Sequence, residues 1–169
     1  MFSGKSTELI RRIRRFESIG KKVCVINHNF DHRTNNKVET HYGDNVNAVK
    51  YVNLLNFVNT VDSNAYDVIC IDEGQFFKDL AQGVQILVEV HRLDVVVSGL
   101  NSDFRRKRFG NMLDLCLITD DIHFCKAYCG KCKDGTLAVF TKRLTETETQ
   151  VDIGANDKYI AVCRNCYFL

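Results

Sequence analysis

A chain of 169 residues, 45% of them hydrophobic, can bury the core of one domain, or of one domain with a small satellite. A net charge of +2 makes no global demand for nucleic acid or an anionic membrane. No apolar run approaches the ~20 residues of a membrane span, and the N-terminus turns charged at once with Arg11, Arg12, Arg14 and Arg15, unlike a signal peptide. An intracellular, cytoplasmic protein is the expectation. The eight cysteines therefore read as thiols rather than as a secreted disulfide framework.

The chain opens on Met1-Phe2-Ser3-Gly4-Lys5-Ser6-Thr7. Gly4-Lys5-Ser6 has the form of the tail of a phosphate-binding loop, GxxxxGK[ST]. In such a loop the backbone N–H groups converge on phosphate oxygens and the following helix adds its positive end. Lys5 would reach the outer phosphates, and the Ser6 hydroxyl would hold magnesium. The loop's first glycine belongs about five residues ahead of Gly4, whereas three residues precede Gly4 here. The strand that launches such a loop is missing too. A truncated or misassigned start is the expected explanation. A chain that truly starts at Met1 is expected to bind ATP weakly and to be poorly stable.

Residues 7–18 read as a helix, with Leu9, Ile10, Ile13 and Phe16 at helical spacing. Its arginines fit a solvated face better than a nucleic-acid patch. Residues 23–26 form a short apolar run, a buried strand. Residues 27–45 are polar and aperiodic and read as a long loop. A strand over 48–52 and a short helix over 54–61 follow. The run Val68-Ile69-Cys70-Ile71 then ends in Asp72-Glu73. Two carboxylates at the C-terminal end of a strand are the Walker B pattern, facing the phosphate loop where ligands bind in parallel α/β sheets. Asp72 would hold magnesium directly or through water. Glu73 would act as a base or orient a nucleophile. A helix over 80–90, a strand over 95–100, a basic stretch over 103–110 and a short helix over 111–118 complete this part. The basic stretch reads as a solvated loop, a nucleic-acid patch or a phosphate clamp. Strands alternating with helices predict a mostly parallel sheet flanked by helices, of the P-loop, RecA-like class, with its first strand apparently missing.

From residue 123 the character changes. Cys129 and Cys132 form one C-x-x-C pair, Cys163 and Cys166 another. Two such pairs predict a four-thiolate zinc site in a small ribbon, with strands over 137–140, near 151–153 and over 159–162. The domain boundary is expected between 122 and 123. Cys24, Cys70 and Cys116 lie in apolar segments and are expected to be buried.

Taken together and in order, MFSGKSTELIRR, DHR at 31–33, IDEGQFF at 71–77, DFRRKRFG at 103–110, FTKRL at 140–144, GANDKY and CRNCYF resemble the type II thymidine kinases, over nearly the whole chain. Two departures stand out: Leu100-Asn101 where many relatives read Leu-Asp, and Lys78 where proline is common. The resemblance implies transfer of the ATP γ-phosphate to the 5′-hydroxyl of thymidine, and of deoxyuridine. It implies Ser3, Gly4, Lys5, Ser6 and Thr7 as the ATP loop. It places Ser6 and Asp31 at the magnesium, joining Asp72, and Arg33 and Lys5 at the transferring phosphate. It makes Glu73 the catalytic base. It makes Met1, Phe76, Leu100 and Phe104 walls of the thymine pocket. It assigns substrate holding to Thr141, Ile153, Gly154 and Tyr159, in a lasso anchored by a structural zinc. A homotetramer with feedback by thymidine triphosphate, and no nucleic-acid or membrane partner, completes the expectation. A zinc-ribbon nucleic-acid binder and a P-loop ATPase without thymidine dependence are the competing readings.

Overall fold

The computed structural model describes residues 1–30, 36–40, 43–146, 149–152 and 158–169. They fall into two compact units. One comprises Lys5–Asn101 and Phe109–Ile122, the other Met1–Gly4, Ser102–Arg108 and His123–Leu169.

The larger unit begins with helix α1, Lys5–Ser18, which buries Leu9, Ile10 and Ile13. It starts two residues earlier than its apolar period suggests, because the Gly-Lys-Ser turn runs straight into it. Glu8 sits in its first turn, where a negative charge suits the helix dipole. Arg11 and Arg12 bond it at 2.6 and 2.9 Å. The Arg11 guanidinium chiefly holds its carboxyl down at about 2.

Strand β1 is Val23–His28. The polar stretch that follows is not wholly loop. Strands β2 (Lys37–Glu39) and β3 (Asn45–Asn47) pair antiparallel, with Val38 opposite Val46. Each carries one valine between polar neighbours, too short a pattern to register as alternation. Val38 is buried against Leu9, Ile10 and Ile13. Next come β4 (Val49–Tyr51), α2 (Leu54–Val58), β5 (Val68–Ile71), a 3-10 turn at Gly74–Phe76, α3 (Leu80–Glu89), β6 (Asp94–Val97) and a second 3-10 turn at Met112–Leu117. Helix α2 takes its N-terminal partner from far along the chain. The Asp79 carboxylate accepts the Leu54 and Leu55 N–H groups at 3.0 and 2.8 Å.

Among the described residues the main sheet has the order β4-β1-β5-β6, all parallel. Alternation along its central strands divides the core. Cys24, Ile26, Ile69 and Ile71 face α2 and α3; Val25, Val68 and Cys70 face α1. This is the expected α/β sheet with flanking helices. Cys116 departs from expectation: it is exposed. The 3-10 turn carrying it turns only Leu115 inward.

The smaller unit has two antiparallel ladders, β7 (Ala127–Tyr128) with β8 (Leu137–Ala138), and β9 (Phe140–Arg143) with β10 (Tyr159–Val162). The run at 137–140 is thus two strands, because the chain changes pairing partner at Val139. Val151 and Asp152 lie in no strand. Helix α4, Arg164–Phe168, follows the second cysteine pair. Its core is small, built from Ala127, Cys129, Ala138, Ala161, Val162 and Cys163. Among the described residues no helix is long and apolar enough to cross a membrane.

Ile69 lies at the centre of the sheet, fully buried. Ile69→Ala is expected to lower unfolding free energy by about 2–5 kcal/mol, read as a lower denaturant midpoint with an unchanged slope.

Candidate active site and metal centre

The two strongest motifs of the larger unit meet through one hydrogen bond. The Ser6 hydroxyl, in the first turn of α1, donates to Asp72 Oδ2 at 3.3 Å. Asp72 leaves the end of β5 and is 4% exposed. Its N–H bonds the Ile26 carbonyl at 2.9 Å, so the β1–β5 pairing fixes it. Among the described residues its Oδ1 has no partner within hydrogen-bond geometry. Burial, and then the neighbouring Glu73 charge, push its carboxyl up to about 6, against the pull of Lys5. A buried, half-satisfied carboxylate beside a serine hydroxyl is a donor set suited to a hard cation such as magnesium.

Glu73 adopts a left-handed backbone, φ 51. A non-glycine residue there is strained by of order 1 kcal/mol or more. The surroundings impose it: the Gly74 N–H bonds the Ser98 carbonyl at 2.9 Å. The Glu73 carboxylate accepts from Gln75 Nε2 at 2.5 Å, while Gln75 Oε1 accepts the Leu100 N–H at 2.9 Å. Gln75 therefore ties the expected base to the segment after β6. Gly110 seals this arrangement, since a Cβ there would lie 2.1 Å from the Gln75 carbonyl oxygen. Gln75 sits in IDEGQFF, but a glutamine two residues past a carboxylate carries no signal of its own in sequence. Phe76 belongs to an aromatic run, with ring centroids 5.7 Å from His28, 5.7 Å from Phe30 and 5.6 Å from Phe109.

In the smaller unit, Phe2 and Gly4 both have positive φ, at 57 and 75. The Met1 nitrogen donates to Thr141 Oγ1 at 2.9 Å. Phe104 lies in the loop 102–108, which is shaped by the buried Asp103 carboxylate. Asp103 Oδ1 accepts the Arg105 and Lys107 N–H groups at 2.9 Å each. The Tyr159 hydroxyl donates to the Asp152 carbonyl at 3.0 Å. Ser3 and Thr7 flank the Gly-Lys-Ser turn. Asp31, Arg33, Ile153 and Gly154 lie outside the described residues.

The basic clusters are largely engaged. Arg11 and Arg12 bond Glu8, and Arg14 bonds Asp44 at 3.1 Å. Arg105 lies 3.7 Å from the Asp103 carboxylate. Arg106 stacks against Tyr167 at 4.7 Å and Phe168 at 5.0 Å.

Cys129, Cys132, Cys163 and Cys166 bring four sulfurs within 4.8 Å of one another. Cys132 Sγ is 3.8 Å from Cys163 Sγ and 3.4 Å from Cys166 Sγ. Zinc–sulfur bonds of about 2.3 Å in a tetrahedron place sulfurs roughly 3.8 Å apart, so the set fits zinc. The backbone prepares it: the Cys163 N–H points to Cys129 Sγ at 3.3 Å and the Cys166 N–H to Cys163 Sγ at 3.5 Å. Backbone N–H groups, first that of Cys132, bring the Cys129 thiol down to about 6. Cys132, crowded by the Cys166, Cys129 and Cys163 sulfurs, is pushed up to about 12. By contrast burial raises Cys24 to about 11 and Cys70 to about 12, as suits inert apolar side chains.

The sequence model of a family described as thymidine kinase matches residues 1–167. The thymidine kinase of Fowlpox virus (strain NVSL) is 41% identical over 99% of this chain and 92% of that protein. That of Sheeppox virus (strain KS-1) is 38% identical over 100% and 93%. That of Vaccinia virus (strain Western Reserve) is 39% identical over 99% and 92%.

The raised Asp72 value fixes a sign for stability. Below about pH 4 the group is neutral in folded and unfolded chains alike, and its burial costs nothing. As pH rises from about 4 to about 6 the unfolded chain ionises first, so stability is lost, on the order of a few kcal/mol in all. In pH-dependent thermal melts, Asp72→Asn is expected to gain on the parent protein across that window. A gap that does not change with pH would count against a costly buried charge.

Proposed function

This chain belongs to the thymidine kinase family, and we propose that it transfers the γ-phosphate of ATP to the 5′-hydroxyl of thymidine, and of deoxyuridine. The observation that carries the reading is the Ser6–Asp72 hydrogen bond of 3.3 Å, with Glu73 the next residue. It joins a phosphate-loop serine to a strand-end carboxylate, with a second carboxylate alongside to take a proton. Phosphoryl transfer asks the protein mainly for positioning and for neutralised charge; Ser6, Asp72 and Glu73 serve the first, and the second falls to the cations around them.

In this reading Ser3, Gly4, Lys5, Ser6 and Thr7 cradle the ATP phosphates. Ser6 and Asp72, with Asp31, hold magnesium, which when bound neutralises phosphate charge. Lys5 and Arg33 add fixed positive charge. Glu73, restrained by Gln75, accepts the 5′-hydroxyl proton as the new P–O bond forms. Met1, Phe76, Leu100 and Phe104 wall the base, and Thr141, Ile153, Gly154 and Tyr159 hold it. Residues 1–122 act as the nucleotide-binding domain and 123–169 as the lasso domain. Zinc on the four cysteines is structural, since four thiolates leave no position open for chemistry. Cys132 and Cys163 anchor the two ends of the segment between them, which lowers the entropy lost when it orders on a nucleoside. A homotetramer restrained by thymidine triphosphate belongs to the same proposal, on the resemblance to type II enzymes. So does a cytoplasmic setting, where thiols stay reduced and free to hold metal.

Labelled thymidine with ATP is expected to give the 5′-monophosphate, with ATP consumption dependent on thymidine. Glu73→Gln is expected to lower kcat by about 10²–10⁴-fold with a near-constant KM for thymidine. Undiminished turnover in that variant would remove Glu73 from the role of base. Metal analysis should find zinc in the parent protein and none in Cys163→Ser, with a lowered thermal midpoint and a raised KM for thymidine.

A further inference from the structure

Arg143 ends strand β9 and is 8% exposed. Its guanidinium does not reach solvent as an arginine usually does. Nη1 donates to the Thr149 carbonyl at 2.6 Å and Nη2 to the Gln150 carbonyl at 3.4 Å. Nη2 also donates to the hydroxyl of Tyr159, its partner across the β9–β10 ladder. The Arg143 Cζ lies over the Phe104 ring, 3.9 Å from the centroid, and 5.1 Å from the Tyr159 centroid. One side chain thus touches residues on both flanks of 151–158 and the ring carried by the loop 102–108.

That loop is held to the same places by further bonds. Gln150 Nε2 donates to Asp103 Oδ2 at 2.9 Å and to the Arg108 carbonyl at 3.0 Å. The Tyr167 hydroxyl donates to the Phe104 carbonyl at 2.8 Å. Tyr159 passes the connection on to the Asp152 carbonyl at 3.0 Å. Arg143 is the only one of these side chains that grips the Phe104 ring and both flanks together.

We infer that Arg143 is a positioning residue for the nucleoside: its planar fork sets the Phe104 ring and the backbone at 149–150 and 159 in one fixed relation, and so fixes thymidine affinity. The inference rests on the kinase reading above, in which Phe104 and Tyr159 line the nucleoside site. A buried charge is a costly way to fill space, and apolar packing would serve stability better. What a guanidinium adds is geometry: several donors in a rigid plane that also stacks on aromatic faces. A lysine offers a point charge on a flexible stem and cannot reproduce that pattern.

The test is steady-state kinetics of Arg143→Lys in the full chain, with zinc content and hydrogen exchange measured alongside. The expected result is a KM for thymidine raised about ten- to hundredfold, an unmoved KM for ATP, full zinc occupancy, and faster amide exchange at 102–108 and 149–152. An unmoved KM for thymidine in an otherwise active protein overturns the inference alone. So does a uniform fall in all parameters together with zinc, which marks a purely structural role. Absence of thymidine turnover in the parent protein overturns the kinase reading and the inference with it. Should Arg143→Lys fail to fold, Arg143→Gln keeps a planar donor group at the same position and drops the second arm of the fork. It is expected to raise the same KM severalfold, and no change there overturns the inference.

Discussion

Strand β5 is buried on both faces, and the larger unit is built around that constraint. Val68, Ile69, Cys70 and Ile71 are all fully buried, packed by α1 on one side and by α2 and α3 on the other. A strand with no wet face can present polar chemistry only where it ends. Asp72 and Glu73 stand at that end. The first is so deep that burial raises its carboxyl value; the second escapes the strand only through a left-handed backbone. Ser6, Gln75, Ser98 and Gly110 are arranged around the consequences, each bonding to that turn or leaving room for it.

The smaller unit solves a different problem. Its fully buried core consists of small alanine, valine and cysteine side chains, and a small core calls for added staples. Two devices make up the difference. The four sulfurs gather segments distant in sequence, and a layer of cations on aromatic rings holds loop 102–108 and helix α4. Cation–π contacts of this sort contribute roughly 0.5–2 kcal/mol each, more when shielded from water.

What could be read from the sequence was whatever the chain writes locally. Gly4-Lys5-Ser6 before an amphipathic run, four apolar residues before Asp72-Glu73, and two C-x-x-C pairs each carry their meaning within a few positions. The parallel sheet, its flanking helices and the four-cysteine cluster were legible on that basis. Features that depend on distant partners were not. Val38 needs α1 to be buried, and helix α2 borrows Asp79 for its first turn. The run at 137–140 divides because its two halves pair with different strands. Cys116 looked apolar in context, yet the tight turn leaves it outside. Arg143 is silent within FTKRL, because neither Phe104 nor Thr149 announces itself in sequence as its neighbour.

The parallel pairing also governs the order in which this molecule can assemble. Val23 lies opposite Val68, and Val68 opposite Asp94, so each central ladder joins segments separated by a helix and more. No tight hairpin can seed such a sheet; long stretches of chain must be closed into loops before the first ladder bond rewards them. Helix α1 and the β2–β3 hairpin have local contacts and can form early. The carboxylate pair cannot, because Asp72 is fixed by the Ile26 carbonyl across the finished β1–β5 ladder. Placement of the two carboxylates therefore depends on pairing between segments distant in sequence. A chain halted before that ladder closed would leave Asp72 and Glu73 unplaced.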